Sequence, residues 1–291
     1  EFNYDATTFR NTELIYNNEL AKVVESLGYN AILAEGADKI LGWRSPNYVY
    51  QPQDCQRLKL LLRNYRLTDD IAFRFSERSW SEYPVYADKY AYWLHTLHGQ
   101  ADLINLFMDF ETFGEHQWQE TGIFDFLQNL PDYVLRHPEY TFMTPAEASQ
   151  KLQPVASLDV HDFMSWADVD RDLTAWRGNN LQEDALQSVY ALAKDVYALN
   201  NLELLDVWRS LLTSDHFYYM CTKYAADGDV HKYFNPYRNP YEAYINYQNI
   251  VSDLTLELAH KKQQQQIVIK QHPSLLADIW RFIGRKIGVA L

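Results

Sequence analysis

Residues 17–34 read NNELAKVVESLGYNAILA, a capped amphipathic helix that hands over to a short apolar strand. Asn17 and Asn18 are of the type that accepts hydrogen bonds from the first free amides of a helix. Behind them Leu20, Val23, Val24 and Leu27 fall at i, i+3, i+4 and i+7, one face of a 3.6-residue repeat, and Gly28 can end the helix. Tyr29–Ala34 then reads as a buried strand. Leu58–Arg63 (LKLLLR) and Leu103–Met108 (LINLFM) repeat the signal, each running into polar residues. Leu103–Met108, six mostly apolar residues, is expected to be buried on both faces. Thr121 is placed to cap a helix carrying Ile123, Phe124, Leu127 and Leu130, interrupted by Pro131. Glu139–Met143 reads as a last strand, and Thr144-Pro145-Ala146-Glu147 as a capping box with Pro at the first helical position. Strands alternating with helices make this part α/β, with βα units around a parallel sheet.

From about residue 148 the pattern changes to helices alone. Leu181, Ala185, Val189, Leu192, Val196 and Leu199 form one stripe, and Leu202, Leu205, Trp208 and Leu212 another. Pro240 to about Lys262 is a third, with QQQQ at 263–266 either a linker or a solvated helical turn. Leu275–Leu291 is basic and amphipathic, and docking on its own domain is expected over membrane binding.

Composition narrows the chemistry. Lys and Arg number 26 against 39 Asp and Glu, a net charge of −13 that leaves no basic surface for nucleic acid. Aromatic residues make up 15%, with Tyr the commonest, which suits a neutral ligand that stacks on rings, a sugar before others. Two cysteines, Cys55 and Cys221, cannot form a disulfide framework and imply a reducing, cytoplasmic location. No apolar run approaches the roughly 20 residues that span a bilayer, so no membrane is expected as a partner. There is no G-x-S-x-G, no Gly-rich phosphate loop and no H-E-x-x-H, and His95 with His98 lacks a third metal ligand nearby. Neither a cofactor nor a metal is expected.

Carboxylates remain. Asp109 is the first polar residue after Leu103–Met108, in MDFETFGEH, where α/β folds collect their ligands. Phe110 and Phe113 beside Gly114 suit a pocket wall, the alternative being a solvated loop. Glu13 sits between apolar and aromatic neighbours just before the helix at Asn18, and Arg10 is placed to keep a carboxylate ionised or simply to pair with it. Glu35, Asp38, Asp69 and Asp70 follow other strands. His216, beside Asp215, is placed to bond a sugar hydroxyl or to satisfy a buried network.

These clusters resemble glycoside hydrolase family 57, in its α-amylase-like branch. FRNTELIYNNELAKVVESLGYNAIL (9–33) is similar to the family's third conserved region, with its T-E pair, and LFMDFETFGEHQW (106–118) to the fourth, with its D-x-E-x-F-G core. SWADVDRDLTAWRGNNLQ (165–182) resembles the fifth, and ILAEGADKILGWRSPNYVY (32–50), LTDDIAFRFS (67–76) and TSDHFYYM (213–220) also read as that branch. The resemblance implies an incomplete (β/α)7 barrel followed by an α-helical region. Residues 1–147 would be the C-terminal half of that barrel, and 148–291 a helical bundle completing the cleft.

The family's first region, a strand carrying H-Q-P, and its second, acidic region have no counterpart here. On the order of a hundred residues, about three βα units, would precede the chain in a complete barrel. A companion N-terminal segment or self-association would then cover the exposed sheet. By resemblance the activity is that of a retaining glycosidase or transglycosylase on starch- or glycogen-type α-1,4-glucans. Glu13 would be the nucleophile and Asp109 the acid/base, with carboxyl groups about 5–5.5 Å apart. Substrate contacts would come from Arg10, Glu35, Trp43, Asp70, Glu111, Phe113, Trp166, Asp168, Trp176, Asp215 and His216, with Trp176 offering a ring to a sugar face. The alternative is a non-catalytic or truncated α-glucan-binding homologue. A metal-dependent polysaccharide deacetylase would need an Asp and two His at ligand spacing, which the sequence lacks.

Overall fold

A computed structural model describes residue 3, residues 5–223 and residues 235–271, and the basic segment Leu275–Leu291 lies outside them. The chain packs as two units, residues 1–173 and 174–291.

The first unit is mixed α/β. Its sheet has five strands, β1 (Thr8–Arg10), β2 (Ala31–Glu35), β3 (Tyr50–Pro52), β4 (Lys59–Arg63) and β5 (Ala156–Leu158), in the order β1-β2-β4-β3-β5. β1, β2 and β4 are parallel, β3 runs antiparallel to β4, and β5 is parallel to β3. The expected strands Tyr29–Ala34 and Leu58–Arg63 are β2 and β4. Strands β3 and β5 are three residues each, too short for a period to show, and β5 lies where the sequence reads as helix alone.

Helix α1 (Asn18–Ser26) connects β1 to β2. Asn17 is its cap, its side chain accepting from the Leu20 amide at 2.9 Å. Gly28 follows the helix at φ +92°, the left-handed conformation that glycine adopts without cost. The buried face differs from the predicted stripe. Asn18, Ala21 and Val24 are inward, while Val23 and Leu27 are 54% and 67% exposed. The helix is rotated because Asn18 is drawn in, its amide bonding Asp159 and its carbonyl oxygen accepting from Val160.

Alternation along the strands splits the core in two. Ile32, Ala34, Leu60 and Leu62 pack with Tyr16, Val24 and Met164 on one face; Ala31, Leu33 and Leu61 pack with Leu14 and Ala148 on the other. Leu103–Met108 departs from the expected strand. It touches β4 through one parallel bridge, Arg63–Asn105, and only Asn105 in it is buried. Asparagines stand in for the missing ladder: Asn105 Nδ2 donates to Leu62 O (2.9 Å), and the Asn47 carbonyl accepts from the amides of Asp102 and Leu103. The segment still alternates, with Leu103 and Phe107 against the Leu14 cluster and Ile104, Leu106 and Met108 against a third cluster.

That third cluster lies among α3 (Tyr65–Ala72), α4 (Ala87–His95) and α5 (Ile123–Val134), centred on Phe75, Tyr90 and Phe126. Gly122, not Thr121, caps α5, and the helix continues through Pro131 to Val134. Residues 139–143 form no strand. The capping box is present, opening α6 (Pro145–Lys151) with both Thr144 and Glu147 bonds made. His95, at the end of α4, contacts the Val134 carbonyl at 2.9 Å, and His98, in the turn beyond the helix rather than on its surface, the Glu139 carboxylate at 3.2 Å.

The second unit is helical: α7 (Thr174–Arg177), α8 (Asn180–Ala191), α9 (Ala193–Leu199), α10 (Leu202–Leu211), α11 (Ser214–Tyr218) and α12 (Pro240–Gln271). Its predicted stripes are buried at Ala185, Val189, Val196 and Trp208, though Leu202 is exposed and Leu204 takes the inward position. The glutamine run at 263–266 is a solvated part of α12. Among the described residues no helix is long and apolar enough to cross a membrane. Cys55 and Cys221 are buried, neither in a disulfide.

Candidate active site

Glu13 lies in the turn between β1 and α1. Its neighbour Leu14 is fully buried at φ 51°, a left-handed conformation that costs an L-residue about 1–2 kcal/mol. Asn11 holds the turn: its Oδ1 accepts from the amides of Glu13 (2.9 Å) and Ile15 (3.2 Å), and its carbonyl from Leu14 (3.0 Å). A short antiparallel pairing of Tyr16 with Met164 brings Trp166 alongside. Trp166 Nε1 donates to Glu13 Oε2 at 2.9 Å and its amide to the Glu13 carbonyl at 3.1 Å. The Arg10 guanidinium carbon is 4.8 Å from the Trp166 ring centroid and that of Arg63 is 5.6 Å away, both within cation–π range. Arg10 thus reaches Glu13 by way of Trp166.

Arg63 organises the rest. Its side chain ends β4 at 5% exposure, with Nη1 donating to Glu35 (2.9 Å), Nη2 to Asp69 (2.5 Å) and Nε to the Phe107 carbonyl (2.7 Å). Arg171 stands behind, its Nε 3.7 Å from Glu35 and a terminal nitrogen 3.9 Å from Asp69. Burial pushes the Glu35 carboxyl above its ordinary pKa, against the pull of Arg63 and Arg171. Gly36 sits against this hub. A Cβ there would lie 2.2 Å from the Arg63 carbonyl oxygen and 2.9 Å from Pro46 Cβ, so only glycine fits. Gly36→Ala should therefore displace β4 and cost about 1–3 kcal/mol, read as a lowered melting temperature. An unchanged melting temperature would contradict this packing.

Asp109 comes two residues after Phe107, whose carbonyl Arg63 holds. It precedes a 3₁₀ turn, Phe110–Thr112, which buries Thr112 and turns Phe110 into solvent at 93% exposure. The predicted wall of Phe110 and Phe113 is therefore absent, Phe113 packing partly buried on the third cluster instead. Asp109 is itself exposed, where a cleft position walled by Phe110 and Phe113 was expected. Its carboxyl is still partly desolvated by neighbouring atoms, which raises its pKa. The adjacent Glu111 adds to that rise, while Arg10, His116 and Arg63 oppose it.

The other candidates divide. Glu35 is buried at 1% exposure with Oε1 taken by the Gly36 amide and Oε2 by Arg63, which corrects its expected place on a substrate surface. Asp70 pairs with Arg74 one turn on, and it is the neighbouring Asp69 that joins Arg63. Trp43 is 91% exposed with Arg44 beside its ring. Asp168, at φ 45°, accepts from the Asp170 amide at 2.7 Å. In the second unit, Trp176 is only 7% exposed beside Tyr218, so it is packed where an open sugar platform was expected. Asp215 is exposed in the first turn of α11, and His216 is 3.2 Å from the Ser210 carbonyl. No group of three His, Cys, Asp or Glu among the described residues is arranged to hold a metal ion.

Arg63 and Asn11 escape a sequence reading of the site. The signal for Arg63 was a cation ending the apolar run LKLLLR, where a buried charge requires partners. Asn11 lies inside the T-E motif region but carries no reactive group.

The sequence model of glycosyl hydrolase family 57 matches residues 1–161. A Methanocaldococcus jannaschii protein named "Putative alpha-amylase" is 46% identical over 262 residues, covering 87% of this chain and 55% of its own length. The chain thus spans about half the length of that relative. The crystal structure of a 4-alpha-glucanotransferase from Thermococcus litoralis is similar at a TM-score of 0.47 and 18% identity, over 66% of this chain and 29% of that one. With more than half of its residues matched, the chain belongs to glycosyl hydrolase family 57.

Proposed function

We propose that this chain carries the reacting residues of a retaining α-glucan-active glycoside hydrolase or transglycosylase, with Glu13 as nucleophile and Asp109 as acid/base. The observation that carries the reading is a shared electrostatic setting. Arg10 and Arg63, which flank the indole bonded to Glu13, are also cations whose field reaches Asp109. Family membership and the name of the Methanocaldococcus relative support starch- or glycogen-type α-1,4-glucans as substrate. We place the protein in the cytoplasm on cysteine usage alone.

The two carboxyl groups have different tasks. Glu13, accepting from Trp166 Nε1, attacks the anomeric carbon through its carboxylate oxygen as the glycosidic C–O bond breaks. Asp109, with its raised pKa, donates its proton to the departing glucan oxygen. It then takes a proton from water, or from a sugar hydroxyl in transfer, as that oxygen displaces Glu13. Arg10 and Trp166 beside Glu13, with Glu111 and Asp168 close to Asp109 and Trp166 in sequence, are the groups assigned to sugar hydroxyls, and Trp43 offers an exposed ring.

Release of reducing ends from maltoheptaose tests this reading. Asp109→Asn, nearly isosteric, should keep the fold and lower turnover about 10²–10³-fold. Glycosyl formation from an α-glucosyl fluoride, which needs no protonation, should fall far less. The alkaline limb of the wild-type profile reports loss of the Asp109 proton. Because that pKa is raised, activity should persist above the ordinary Asp range and fall as pH climbs through it, and the limb should vanish in Asp109→Asn. Equal losses on both substrates would refute the acid/base role.

A further inference from the structure

A second aromatic concavity lies in the first unit, sharing no residue with the Glu13–Trp166–Arg63–Asp109 group. It is a groove of about 510 Å³ between the start of α4 and one face of α5, and includes Tyr83, Tyr86, Asp88, Asp125, Asn129 and Tyr133. That volume is within the roughly 300–1,000 Å³ of ligand pockets. Asp125, Asn129 and Tyr133 stand at i, i+4 and i+8 of α5, so the helical repeat itself lines them up. The floor is rigid: Phe75 and Phe126 meet edge to face at 5.2 Å, and Phe126 meets Tyr90 at 5.6 Å. At the rim Tyr83 and Tyr86 are 39% and 64% exposed, a cost in hydration that the packing of α4 and α5 does not require.

Charge selects the occupant. Among the described residues, the groove is lined by two carboxylates, Asp88 and Asp125, and by no Lys, Arg or His, the one cation set against a lining ring being Arg136, 3.8 Å from the Tyr133 centroid. Two carboxylates against that single guanidinium disfavour phosphates and acidic polymers. A peptide cation would find carboxylates, but the ring faces beside them favour a ligand with alternating apolar and hydroxylated surfaces. Sugar rings have that character: C–H faces stack on tyrosine, and hydroxyls donate to carboxylate and carboxamide oxygens. Asn129 is fixed for this by its Nδ2 bond to the Asp125 carbonyl at 2.8 Å. The groove also borders the functional loop, since Thr121 and Gly122 close the stretch that begins at Asp109.

We infer that the α4–α5 groove is a non-catalytic binding site for a segment of neutral α-1,4-glucan remote from the bond being cleaved, with Tyr86 as its stacking platform. This rests on the α-glucan reading above. A long polymer would be held at two places, raising the local concentration of cleavable bonds near Glu13 and Asp109 without altering the chemistry.

Affinity electrophoresis of the full chain in glycogen-containing gels, alongside kinetics on an aryl α-maltoside, tests the inference. Tyr86→Ala should weaken glycogen retention about fivefold, the weight of one ring contact, and raise KM for glycogen correspondingly. Activity on the short aryl substrate should stay within experimental error, Tyr86→Phe should behave as wild type, and Asp125→Ala should act in the same direction as Tyr86→Ala. Glycogen retention unchanged in a Tyr86→Ala/Asp125→Ala variant overturns the site, as does an equal loss on the short substrate. If glycogen is cleaved but Tyr86→Ala binds it normally, the groove fails and the catalytic reading stands. If glycogen is retained through Tyr86 but never cleaved, the groove stands and the catalytic reading fails.

Discussion

Glu13→Gln is expected to lower maltooligosaccharide turnover by about four orders of magnitude, as removal of a covalent nucleophile does. The substitution is gentle to the structure. Glutamine retains an acceptor oxygen for Trp166 Nε1, now 2.9 Å from the carboxylate, and the 3.1 Å bond from the Trp166 amide to the residue-13 carbonyl is untouched. Asn11 still anchors the turn through backbone amides of residues 13 and 15. The melting temperature should therefore move by no more than about 2 °C, a fraction of a kcal/mol for a chain of this size. What is lost is the anionic oxygen that, as the proposed nucleophile, would bond the anomeric carbon.

A purely structural Glu13 predicts the reverse, a variant that turns over normally because its hydrogen bond survives. Glu13→Gly with added azide gives a second readout. Azide can enter the vacated space, attack the anomeric carbon and displace an activated leaving group in one step, yielding a β-glycosyl azide from an α-linked substrate. Recovery of turnover with that inverted product assigns the nucleophile. Glu13→Gln retaining a tenth or more of wild-type activity removes it.

What the sequence made legible was governed by local signals. Asn17 before the α1 repeat and Thr144-Pro145-Ala146-Glu147 at α6 act within one helical turn, and both caps are in place. The apolar runs of β2 and β4 identify themselves because both faces are buried. Nothing comparable marks β3 or β5, where three residues pair only because the rest of the sheet offers an edge. Leu103–Met108 shows the limit of reading a run of apolar residues as a strand. Its side chains do alternate between two clusters, but Asn47 and Asn105 take over the hydrogen bonds that a ladder would have made. At the site, Glu13, Asp109 and Trp166 stood out through their motifs. The sequence points to Asp70, yet Asp69 is the one that joins Arg63, because which of the two does so depends on the side of α3 that faces the end of β4. Glu35 was misplaced for a related reason: its partner, Arg63, is 28 residues away in sequence.

Arg63→Met should unfold the first unit at a temperature about 10 °C lower, from a loss of about 3–5 kcal/mol when one partner of a buried ion pair is removed. The side chain is 5% exposed and satisfies Glu35, Asp69 and the Phe107 carbonyl together, and methionine fills the volume while meeting none of them. The largest part of the loss is Glu35, left at 1% exposure with Arg171, 3.7 Å away, as its remaining cation among the described residues. Burial already raises the Glu35 pKa, and without Arg63 the rise becomes steeper. A carboxyl whose folded pKa exceeds its unfolded value binds more protons when folded, so stability falls as pH rises between the two. The deficit of the variant relative to wild type should therefore be smallest in acid and grow toward neutrality. Adding Glu35→Met should recover part of the loss, since the stranded charge is gone and Asp69 keeps Arg171 at 3.9 Å. Arg63→Lys separates stability from positioning. An ammonium can keep one ion pair but cannot span three acceptors with a planar fork, so the Phe107 carbonyl is released. Asp109, two residues on, then loses its anchor, and kcat should fall about 10–100-fold with KM little changed. A variant Arg63→Met that melts with the wild type, or Arg63→Lys with full kcat, would remove Arg63 from its place at the centre of the site.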